Sequence, residues 1–415
     1  MREKLAIEGG PKACPKPWPK RGLFGKEEKD AVMRLFDRAI ETGEAFGYNG
    51  PEEEAYCREF AQFLGGGYAD AVNSGSSAIY VALRALEVPA FTEVICGPIT
   101  DPGGVMPVPL AGYIPVCADA APGSFNISPE SVERLITKRT SAIIVTHIAG
   151  IPAEIGPIME IANAKGIPVI EDCAQAHGAR YRGQFVGTFG AFGAFSTMFG
   201  KHHATGGQGG VVFTRDEELY WRARRYSDRG KPFNLQGTRG NVVCAHNMNL
   251  NDLAACIGRV QLRKLPRIIR ARQKSARWLT EACKKECRAV RIAEAPPDAE
   301  PTYWFLFGQL DLAKLRVDKE TFVKALQAEG VACSPSYLHL FTDHDWYINR
   351  RVFHGTGYPW ACPLYKGDPD RSYATPNIRA TDKYTFQIYW HERIGIPYAR
   401  MILKAFRKVE TAYAK

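Results

Sequence analysis

The feature that most constrains this chain is an alternation of short, continuous apolar runs with helix-like segments. The runs consist almost entirely of Val, Ile, Ala and Cys, whereas a strand with one solvated face would alternate apolar with polar residues. The pattern therefore predicts a βαβ series and an open, mainly parallel sheet with helices on both faces. The apolar runs occupy residues 69–73, 93–98, 114–118, 141–147 and 167–171, and the helix-like segments occupy residues 76–87, 129–137 and 153–165.

Two further strands and a long helix are predicted beyond this series. Strands near residues 191–197 and 209–214 bring the sheet to seven strands, and helical periodicity runs from about residue 250 to 285. This helix is expected to lead into a second, smaller α+β domain. The predicted parts are an N-terminal arm over residues 1–24, a large domain over 25–260 and a small C-terminal domain over 261–415.

Composition narrows the class of protein. The chain has 415 residues, of which 45% are hydrophobic and 24% charged, and this excludes a disordered or low-complexity protein. The net charge of +10 is spread along the sequence, so we expect no nucleic-acid partner. The eleven cysteines include no C-x-x-C pair, and the first residues contain no apolar leader or membrane segment. We therefore expect a cytoplasmic protein.

The first candidate site is the segment Asn73–Ser77, between a predicted strand and the helix that follows it. Gly75 lets the backbone approach an anion closely, and the hydroxyl of Ser76 adds a donor to the free N–H groups of the helix start. The segment predicts a cup for one phosphate group. Considered alone, an ordinary serine N-cap explains the same residues equally well.

The second candidate is Asp172, which follows the apolar run over residues 167–171. A carboxylate at the end of a buried strand is costly unless it is paired with a cation. The position predicts a permanent cationic partner. Either a ligand or a structural arginine could supply it.

The third candidate is a glycine-rich segment that carries Ser196 and Lys201, with no acidic residue between positions 191 and 215. A lysine without a carboxylate neighbour, beside a desolvated strand end, has a lowered pKa, which imine formation requires. A solvated loop lysine is the alternative. A P-loop is excluded because Phe195 stands where its first glycine should be and His202 follows the lysine.

Other ligand classes do not fit these segments. The dinucleotide fingerprint G-x-G-x-x-G is absent after the first strand. His202 and His203 are adjacent, so on an extended segment their side chains point to opposite faces, and we predict no metal site. A single phosphate, a ring cation and an aldehyde together describe pyridoxal 5′-phosphate, which is the predicted cofactor.

The residues around these sites resemble a known family. The run EDCAQAHGARYRGQFVGTFGAFGAFS, the lysine five residues after Ser196 and the following TGGQGG resemble the DegT/StrS family of pyridoxal-phosphate sugar aminotransferases. The likeness extends through LAIEGGPKACPKPWP, NSGSSAIYVALRAL and HNMNLNDLAACIGRVQL, and so covers nearly the whole chain. It implies a fold type I α/β transferase, with a mainly parallel seven-stranded sheet flanked by helices and a smaller C-terminal α+β domain.

The resemblance implies a role for each residue that matches the family pattern. Lys201 would bind the cofactor's aldehyde, Asp172 its ring nitrogen and Gln175 its phenolic oxygen. Lys201 and Asp172 would be the catalytic residues. The residues implied to bind the phosphate are Gly75, Ser76 and Ser196.

Two positions carry further implications. Asn247 would reach the phosphate of a neighbouring subunit, which implies a homodimer with shared active sites. Asp101 departs from the pattern, because many members of the family have an aromatic ring against the cofactor at that position.

The implied activity is transfer of an amino group from glutamine or glutamate to a keto-cyclitol or keto-sugar. The sequences GGPKACPKPWP and IYWHERIGI are more similar to the branch that acts on keto-inositols with glutamine. The basic segment Arg222–Arg239 could instead bind a nucleotide-sugar diphosphate, or it could be an exposed basic helix and loop. The candidate substrate contacts are Arg225, Arg229, Lys231 and His391.

Two alternatives belong to other classes. A pyridoxal-phosphate nucleotide-sugar dehydratase shares the scaffold, but the enzymes of that kind replace the lysine with histidine, whereas Lys201 is present here with His202 beside it. A non-enzymatic regulator could keep the fold, but it would not need the complete set of lysine, aspartate and serines. An assay for nitrogen transfer separates a regulator from an enzyme.

Overall fold

A computed structural model describes residues 3–415 as an α/β protein built around three sheets. Its strands are β1 (Tyr68–Val72), β2 (Glu93–Cys96), β3 (Ile114–Cys117), β4 (Thr140–Thr146), β5 (Val169–Asp172), β6 (Arg180–Tyr181), β7 (Gln184–Phe185), β8 (Phe192–Ser196), β9 (Gly210–Thr214), β10 (Val290–Ile292), β11 (Ala299–Glu300), β12 (Phe305–Leu310), β13 (Cys333–Ser334) and β14 (Thr385–Tyr389). Its α-helices are α1 (Lys26–Thr42), α2 (Pro51–Phe63), α3 (Gly75–Ala85), α4 (Pro107–Leu110), α5 (Pro129–Leu135), α6 (Ile155–Ala164), α7 (Glu217–Ser227), α8 (Asp252–Glu286), α9 (Lys319–Ala328), α10 (Asp345–Ile348), α11 (Pro376–Asp382) and α12 (Ile396–Tyr413).

The central sheet has seven strands in the order β1-β9-β8-β5-β4-β2-β3. β9 runs antiparallel to both of its neighbours, and the other pairs are parallel. Every residue of β2, β3, β5, β8 and β9 is buried, as expected for strands covered on both faces. The predicted α/β fold class and its seven-stranded sheet are confirmed.

The direction of these strands decides where a ligand can bind. Because β1, β5 and β8 run the same way, the segments that follow them meet at one edge of the sheet. These segments carry the three candidate sites predicted above. The fold therefore places all three at the carboxyl edge.

The C-terminal part is built on a four-stranded antiparallel sheet in the order β10-β12-β14-β13. Helix α8 is 35 residues long and connects the central sheet to this second sheet. The predicted domain boundary at residues 260 and 261 falls within α8, and the predicted end of the arm at residue 24 falls just before α1. These boundaries remain predictions.

The N-terminal arm is bound to the C-terminal part through the buried carboxylate of Glu329. Glu329 accepts hydrogen bonds from the backbone N–H groups of Ala6 and Ala13, at 2.7 and 2.8 Å, and forms an ion pair with Lys408. His391 donates from Nε2 to the carbonyl of Pro19 at 2.9 Å. The arm is therefore packed along the protein.

Two sequence features can be compared with the structure directly. All eleven cysteines lie in the described part of the chain and are free thiols. No helix between residues 3 and 415 is both long enough and apolar enough to cross a bilayer. Cys283 and Cys287, four residues apart at the end of α8, are both buried.

Candidate active site

A cavity of about 250 Å³ lies at the carboxyl edge of the central sheet. The three segments predicted from the sequence meet there, since the loops after β1, β5 and β8 all contribute to its wall. A pocket of this kind, with a few convergent polar groups, is typical of a cofactor site. Six of the seven predicted cofactor contacts line it: Gly75, Ser76, Asp172, Gln175, Ser196 and Lys201.

The phosphate cup is the start of α3. Ser74 is its N-cap and accepts a hydrogen bond from the N–H of Ser77 at 3.0 Å, so a serine cap is indeed present. The preceding N–H groups of the helix have no intrahelical partner and carry a partial positive charge. A Cβ on Gly75 would lie 2.6 Å from the Cβ of Ser196, so only glycine lets α3 come this close to the end of β8. The serine cap is therefore present, and a phosphate cup at the same helix start remains a prediction.

Asp172 is buried and forms no salt bridge with another described residue, although Lys201 lies within electrostatic reach of it. It is 3% exposed, and its carboxylate accepts hydrogen bonds from the N–H of Ala174 at 3.0 Å and from the hydroxyls of Thr146 and Thr100 at 3.3 and 3.4 Å. Within residues 3–415 no lysine, arginine or histidine forms a salt bridge with it. Burial raises the pKa of the carboxyl group. The structural-arginine alternative is therefore not realised, and a cationic ring nitrogen fits the position.

Lys201 is a buried amine beside an aromatic ring. It is 5% exposed, and burial lowers its pKa to about 8, while Asp172 and then Asp101 oppose that shift. Its Nζ lies 3.7 Å from the centre of the Trp304 ring. The indole N–H of Trp304 in turn donates to the carbonyl of Gly200 at 3.0 Å. The solvated-lysine alternative is excluded because the Lys201 side chain is buried. A buried amine with a lowered pKa is available as a nucleophile.

Gln175 is held between the central sheet and the C-terminal part. Its Oε1 accepts from the N–H of Ala149 at 2.8 Å, and its Nε2 donates to the hydroxyl of Tyr337 at 2.9 Å. Ala149 has a left-handed backbone, with φ of 60°, and its carbonyl accepts from the N–H of Trp304. The predicted contact of Gln175 with a phenolic oxygen remains a prediction. Its position beside the cavity is fixed by this network.

The donor set fits pyridoxal phosphate. Free helix N–H groups and hydroxyls suit its phosphate, the unpaired carboxylate of Asp172 suits its protonated ring, and the amine of Lys201 suits its aldehyde. The 250 Å³ of space is flanked by glycines where side chains would collide. A Cβ on Gly104, for example, would lie 2.8 Å from Oδ2 of Asp172.

Asn247 lies outside this cavity. It is exposed on the surface, where its Oδ1 accepts a hydrogen bond from Nδ2 of Asn249 at 2.7 Å. Its backbone pairs with that of Asp228 in an antiparallel bridge. A contact of Asn247 with a phosphate therefore requires a second subunit and stays a prediction.

The four predicted substrate contacts do not line the cavity either. Arg225 is buried and donates to Oδ1 of Asn234 at 2.9 Å. Arg229 and Lys231 both form ion pairs with the buried carboxylate of Asp228, at 2.9 and 2.7 Å. His391 contacts the N-terminal arm, as described above. Their roles toward substrate remain predictions.

Trp304 and Tyr337 were not predicted from the sequence. Both are more than 100 residues from Lys201 along the chain, at the start of β12 and in the loop after β13. The sequence holds seven tryptophans, and no local pattern separates Trp304 from the others. Only the packing of the C-terminal part against the central sheet brings these rings into contact with Lys201 and Gln175.

The buried histidines nearby have structural partners. His203 shares a hydrogen bond with the hydroxyl of Tyr56 at 2.7 Å, and His202 donates to the carbonyl of Thr302 at 3.1 Å. Burial lowers the pKa of both imidazoles. His147 and Glu171 also meet, at 3.2 Å, and the carboxylate of Glu171 is occupied by three backbone N–H groups of residues 187–190. Each of these histidines thus has at least one internal partner, while Nδ1 of His202 and of His203 is buried without a hydrogen bond.

Comparison with known proteins gives a consistent result. The sequence profile of the DegT/DnrJ/EryC1/StrS aminotransferase family matches residues 27–365. An L-glutamine:2-deoxy-scyllo-inosose aminotransferase from Micromonospora echinospora is 31% identical over 349 residues, which covers 80% of this chain and 82% of that protein. A GDP-perosamine synthase from Escherichia coli O157:H7 is 32% identical over 240 residues, with 58% and 64% of the two chains covered. The solved structure of an aminotransferase from Psychrobacter cryohalolentis superposes with a TM-score of 0.82 at 26% identity, covering 96% of this chain and 99% of the other.

Proposed function

Since this chain belongs to the DegT/DnrJ/EryC1/StrS aminotransferase family, we propose that it transfers the amino group of glutamine to a keto-cyclitol. Membership of the family makes it a transaminase that uses pyridoxal phosphate in amino-sugar or aminocyclitol biosynthesis, as the sequence predicted. The finer assignment of donor and acceptor follows the names of its relatives, which include several glutamine-dependent inosose aminotransferases. The dehydratase and regulator alternatives are set aside.

One observation supports a keto-cyclitol over a nucleotide-linked sugar. The charged side chains that line the cavity are Asp101, Asp172 and Lys201. A diphosphate needs arginines or several lysines to bind it. The cavity wall contributes no such cations from this chain, and a neutral polyhydroxylated ring suits it better.

The residues of the chain divide the chemistry between them. When bound, pyridoxal phosphate delocalises the electron pair left at the donor's α-carbon and carries the nitrogen between the two substrates. Nζ of Lys201, with a pKa of about 8, moves the α-proton as general base and then as general acid. Asp172 would hold the ring nitrogen of the cofactor in its protonated form through the buried negative charge of the carboxylate. Thr100 and Thr146 orient that carboxylate by their hydrogen bonds.

The test is isotopic. The enzyme is incubated with scyllo-inosose and glutamine labelled with ¹⁵N at the α-amino group. The mass of the aminocyclitol product is then measured by mass spectrometry. The label is expected in the product, whereas glutamine labelled only at the amide nitrogen serves as the control and should give unlabelled product. If nitrogen passes to a nucleotide-linked keto-sugar and not to scyllo-inosose, the acceptor assignment is wrong and the basic segment Arg222–Arg239 becomes the substrate site.

We also propose a homodimer with shared active sites. Asn247 is exposed and turned away from the cavity of its own chain, and α1 presents an exposed apolar row of Met33, Phe36 and Ile40. These features suit burial against a second copy. The reducing interior of the cytoplasm, where free thiols persist, is the proposed location.

Complementation tests the shared site. Lys201→Ala and Asn247→Ala subunits are each expected to have low turnover, but a mixed dimer contains one site in which both residues are intact. Statistical mixing should restore about a quarter of the wild-type turnover, because half of the dimers are mixed and each has one working site. If mixing restores no turnover, Asn247 does not act across the interface.

A further inference from the structure

A second cavity, of about 380 Å³, lies between α2, the edge strand β1 and α7. Its wall shares no residue with that of the cavity at the carboxyl edge of the sheet. Glu53 on α2 and Arg224 on α7 both line it. The wall also contains four aromatic side chains, which are Tyr68, Tyr220, Trp221 and Phe233. The proposed transamination has no use for this cavity.

Glu53 is a buried carboxyl group with one oxygen that has no partner. The residue is 1% exposed, and its Oε2 accepts a hydrogen bond from the N–H of Asn49 at 2.5 Å. Its Oε1 is buried and accepts no hydrogen bond from any residue between 3 and 415, nor does a described lysine, arginine or histidine form a salt bridge with Glu53. Because a buried acceptor without a donor is costly, a donor from outside the chain is expected at Oε1.

Arg224 does not satisfy Glu53, because a different carboxylate takes its charge. Its Nη1 donates to Oδ1 of the buried Asp70 at 3.0 Å, and its Nη2 donates to Oδ1 of Asn49 at 2.9 Å. Its Nε is buried and finds no acceptor among the described residues. The cavity therefore has one carboxyl oxygen without a donor and one guanidinium N–H without an acceptor.

The rest of the wall suits an organic cation. Glu54 and Arg58 are exposed and lie 3.6 Å apart as an ion pair, so their charges offset each other. The ring of Tyr220 stacks on that of Tyr68 with centroids 5.2 Å apart, and it lies 4.9 Å from the ring of Trp221. Aromatic faces attract an ammonium group, and more strongly where water is excluded. The rings and the unmatched carboxyl group thus favour the same kind of ligand.

We infer that this cavity binds a small organic amine in its ammonium form, with a hydroxyl group on the carbon next to the one that carries the nitrogen. The ammonium group donates to Oε1 of Glu53 in a charge-assisted hydrogen bond, and the hydroxyl oxygen accepts from Nε of Arg224. One ligand then satisfies both unmatched groups. The inference does not depend on the proposed function, because neither contact takes part in the chemistry of the other cavity.

Three cyclohexane derivatives test the inference by calorimetry on the holoenzyme. They are trans-2-(dimethylamino)cyclohexanol, its neutral isostere trans-2-isopropylcyclohexanol, and N,N-dimethylcyclohexylamine, which lacks the hydroxyl. A tertiary amine cannot form an imine with the cofactor, so reaction at Lys201 does not contribute to the heat. The amino alcohol is expected to bind at least about tenfold more tightly than either of the other two compounds.

Glu53→Gln should abolish the preference for the cation. Glutamine keeps an acceptor for the N–H of Asn49, so the start of α2 should still fold, but it carries no charge. Binding of the amino alcohol should weaken by about tenfold or more, to the affinity of the neutral isostere. Glu54→Gln is the matched control, because Glu54 is on the same wall but exposed, and it should change the affinity by less than about threefold.

The proton balance of binding gives a readout that a purely structural Glu53 would not give. Burial raises the pKa of Glu53 to about 8, and Asp70 opposes its ionisation more strongly than Arg224 favours it. Since an ammonium ligand selects the ionised carboxylate, binding at pH 7 should release nearly one proton, and affinity should rise by up to about tenfold between pH 7 and 8.5. The other titratable groups that act on Glu53 or are acted on by it are Cys57, Tyr220 and Asp252.

Two results overturn the inference. One is equal binding of the amino alcohol and its neutral isostere, and the other is an affinity that Glu53→Gln leaves unchanged. Absence of binding at millimolar concentrations overturns it too, because Oε1 is then satisfied by protonation or by water. If Glu53→Gln does not fold, the comparison of the three compounds and the proton release in the wild type decide the question. None of these results bears on transamination, which is measured separately.

Discussion

The cavity at the carboxyl edge of the sheet and the basic segment Arg222–Arg239 differ in whether their charged side chains form salt bridges. In the cavity, Asp172 and Lys201 are buried, and neither forms a salt bridge with another described residue. On the segment, Arg229 and Lys231 are each paired with Asp228. The comparison indicates that buried charged groups without a salt bridge distinguish the candidate site, whereas an abundance of charge does not.

The strongest way to break this comparison is Lys201→Ala. Removal of the amine eliminates both the covalent contact with the cofactor and the proton carrier, so turnover should fall by at least about a thousandfold. The visible absorbance of the lysine-bound cofactor should disappear as well, which a spectrum of the reconstituted enzyme checks. Lys138→Ala, at an exposed position, is the control and should change neither quantity. Turnover within tenfold of the wild type would remove Lys201 from the mechanism.

Asp172→Asn should lower the turnover of the enzyme but raise the stability of the cofactor-free protein. We expect turnover to fall by about a hundredfold or more, because an amide cannot hold the ring proton by its charge. Burial raises the pKa of Asp172, so without cofactor the ionised carboxylate destabilises the fold increasingly as pH rises from its unfolded value through the folded pKa. At pH 7 the cofactor-free variant should therefore be more stable, by about 1 to 3 kcal/mol in free energy of unfolding.

Denaturant unfolding at two pH values measures this effect. The gain should shrink as pH falls and vanish below about pH 3.9, where the carboxyl group becomes protonated in both states. Asp343→Asn removes a surface carboxylate that is paired with Arg379 and should give no such gain. A cofactor-free Asp172→Asn variant less stable than the wild type at pH 7 contradicts the account of an unpaired buried charge.

Trp304→Leu should have a smaller effect, on the titration of Lys201. Uptake of pyridoxal phosphate needs the neutral amine, so its rate in the cofactor-free enzyme should rise with pH through about 8. Loss of the aromatic face removes a stabilising contact with the ammonium form and should lower the midpoint by about 0.5 to 1 pH unit. Trp304→Phe keeps an aromatic face and should shift the midpoint less. Equal midpoints in all three proteins would show that the ring does not influence the amine.

The smallest effects are expected on the basic segment. Arg229→Ala and Lys231→Ala each remove a partly exposed ion pair, so kcat/KM for scyllo-inosose should change by less than about threefold. Arg225 is less informative because it is buried and hydrogen-bonded to Asn234. A loss of a hundredfold or more in either variant would reverse the comparison and assign the basic segment to the binding of the acceptor.

The central sheet was predictable from sequence because its strands are continuous apolar runs. β1, β5 and β8 each begin within two residues of the predicted runs, and the residues just after them meet at one cavity, as predicted. Lys201 and Asp172 were selected in this way, although their contacts with Trp304, Thr100 and Thr146 come from distant parts of the chain. The result for Asp172 needed the structure, because sequence could not show whether an arginine would reach it.

Residues contributed by distant parts of the chain could not be predicted. Trp304 and Tyr337 reach Lys201 and Gln175 only through packing between sheets, which leaves no periodic signal in the sequence. The same limit applies to His391, which the resemblance associates with substrate and the structure places against Pro19. Where the partners of a side chain lie far away in sequence, its contacts can be identified only from the tertiary structure.

Helix α8 has a mechanical consequence. Its 35 residues form a rod about 50 Å long that begins next to the glycine-rich segment of the cavity and ends at the second sheet. If either the part around the central sheet or the C-terminal part unfolds, one end of α8 loses the residues that pack against it. The two parts should therefore unfold together in a single cooperative transition. Scanning calorimetry should accordingly record one peak for the whole chain.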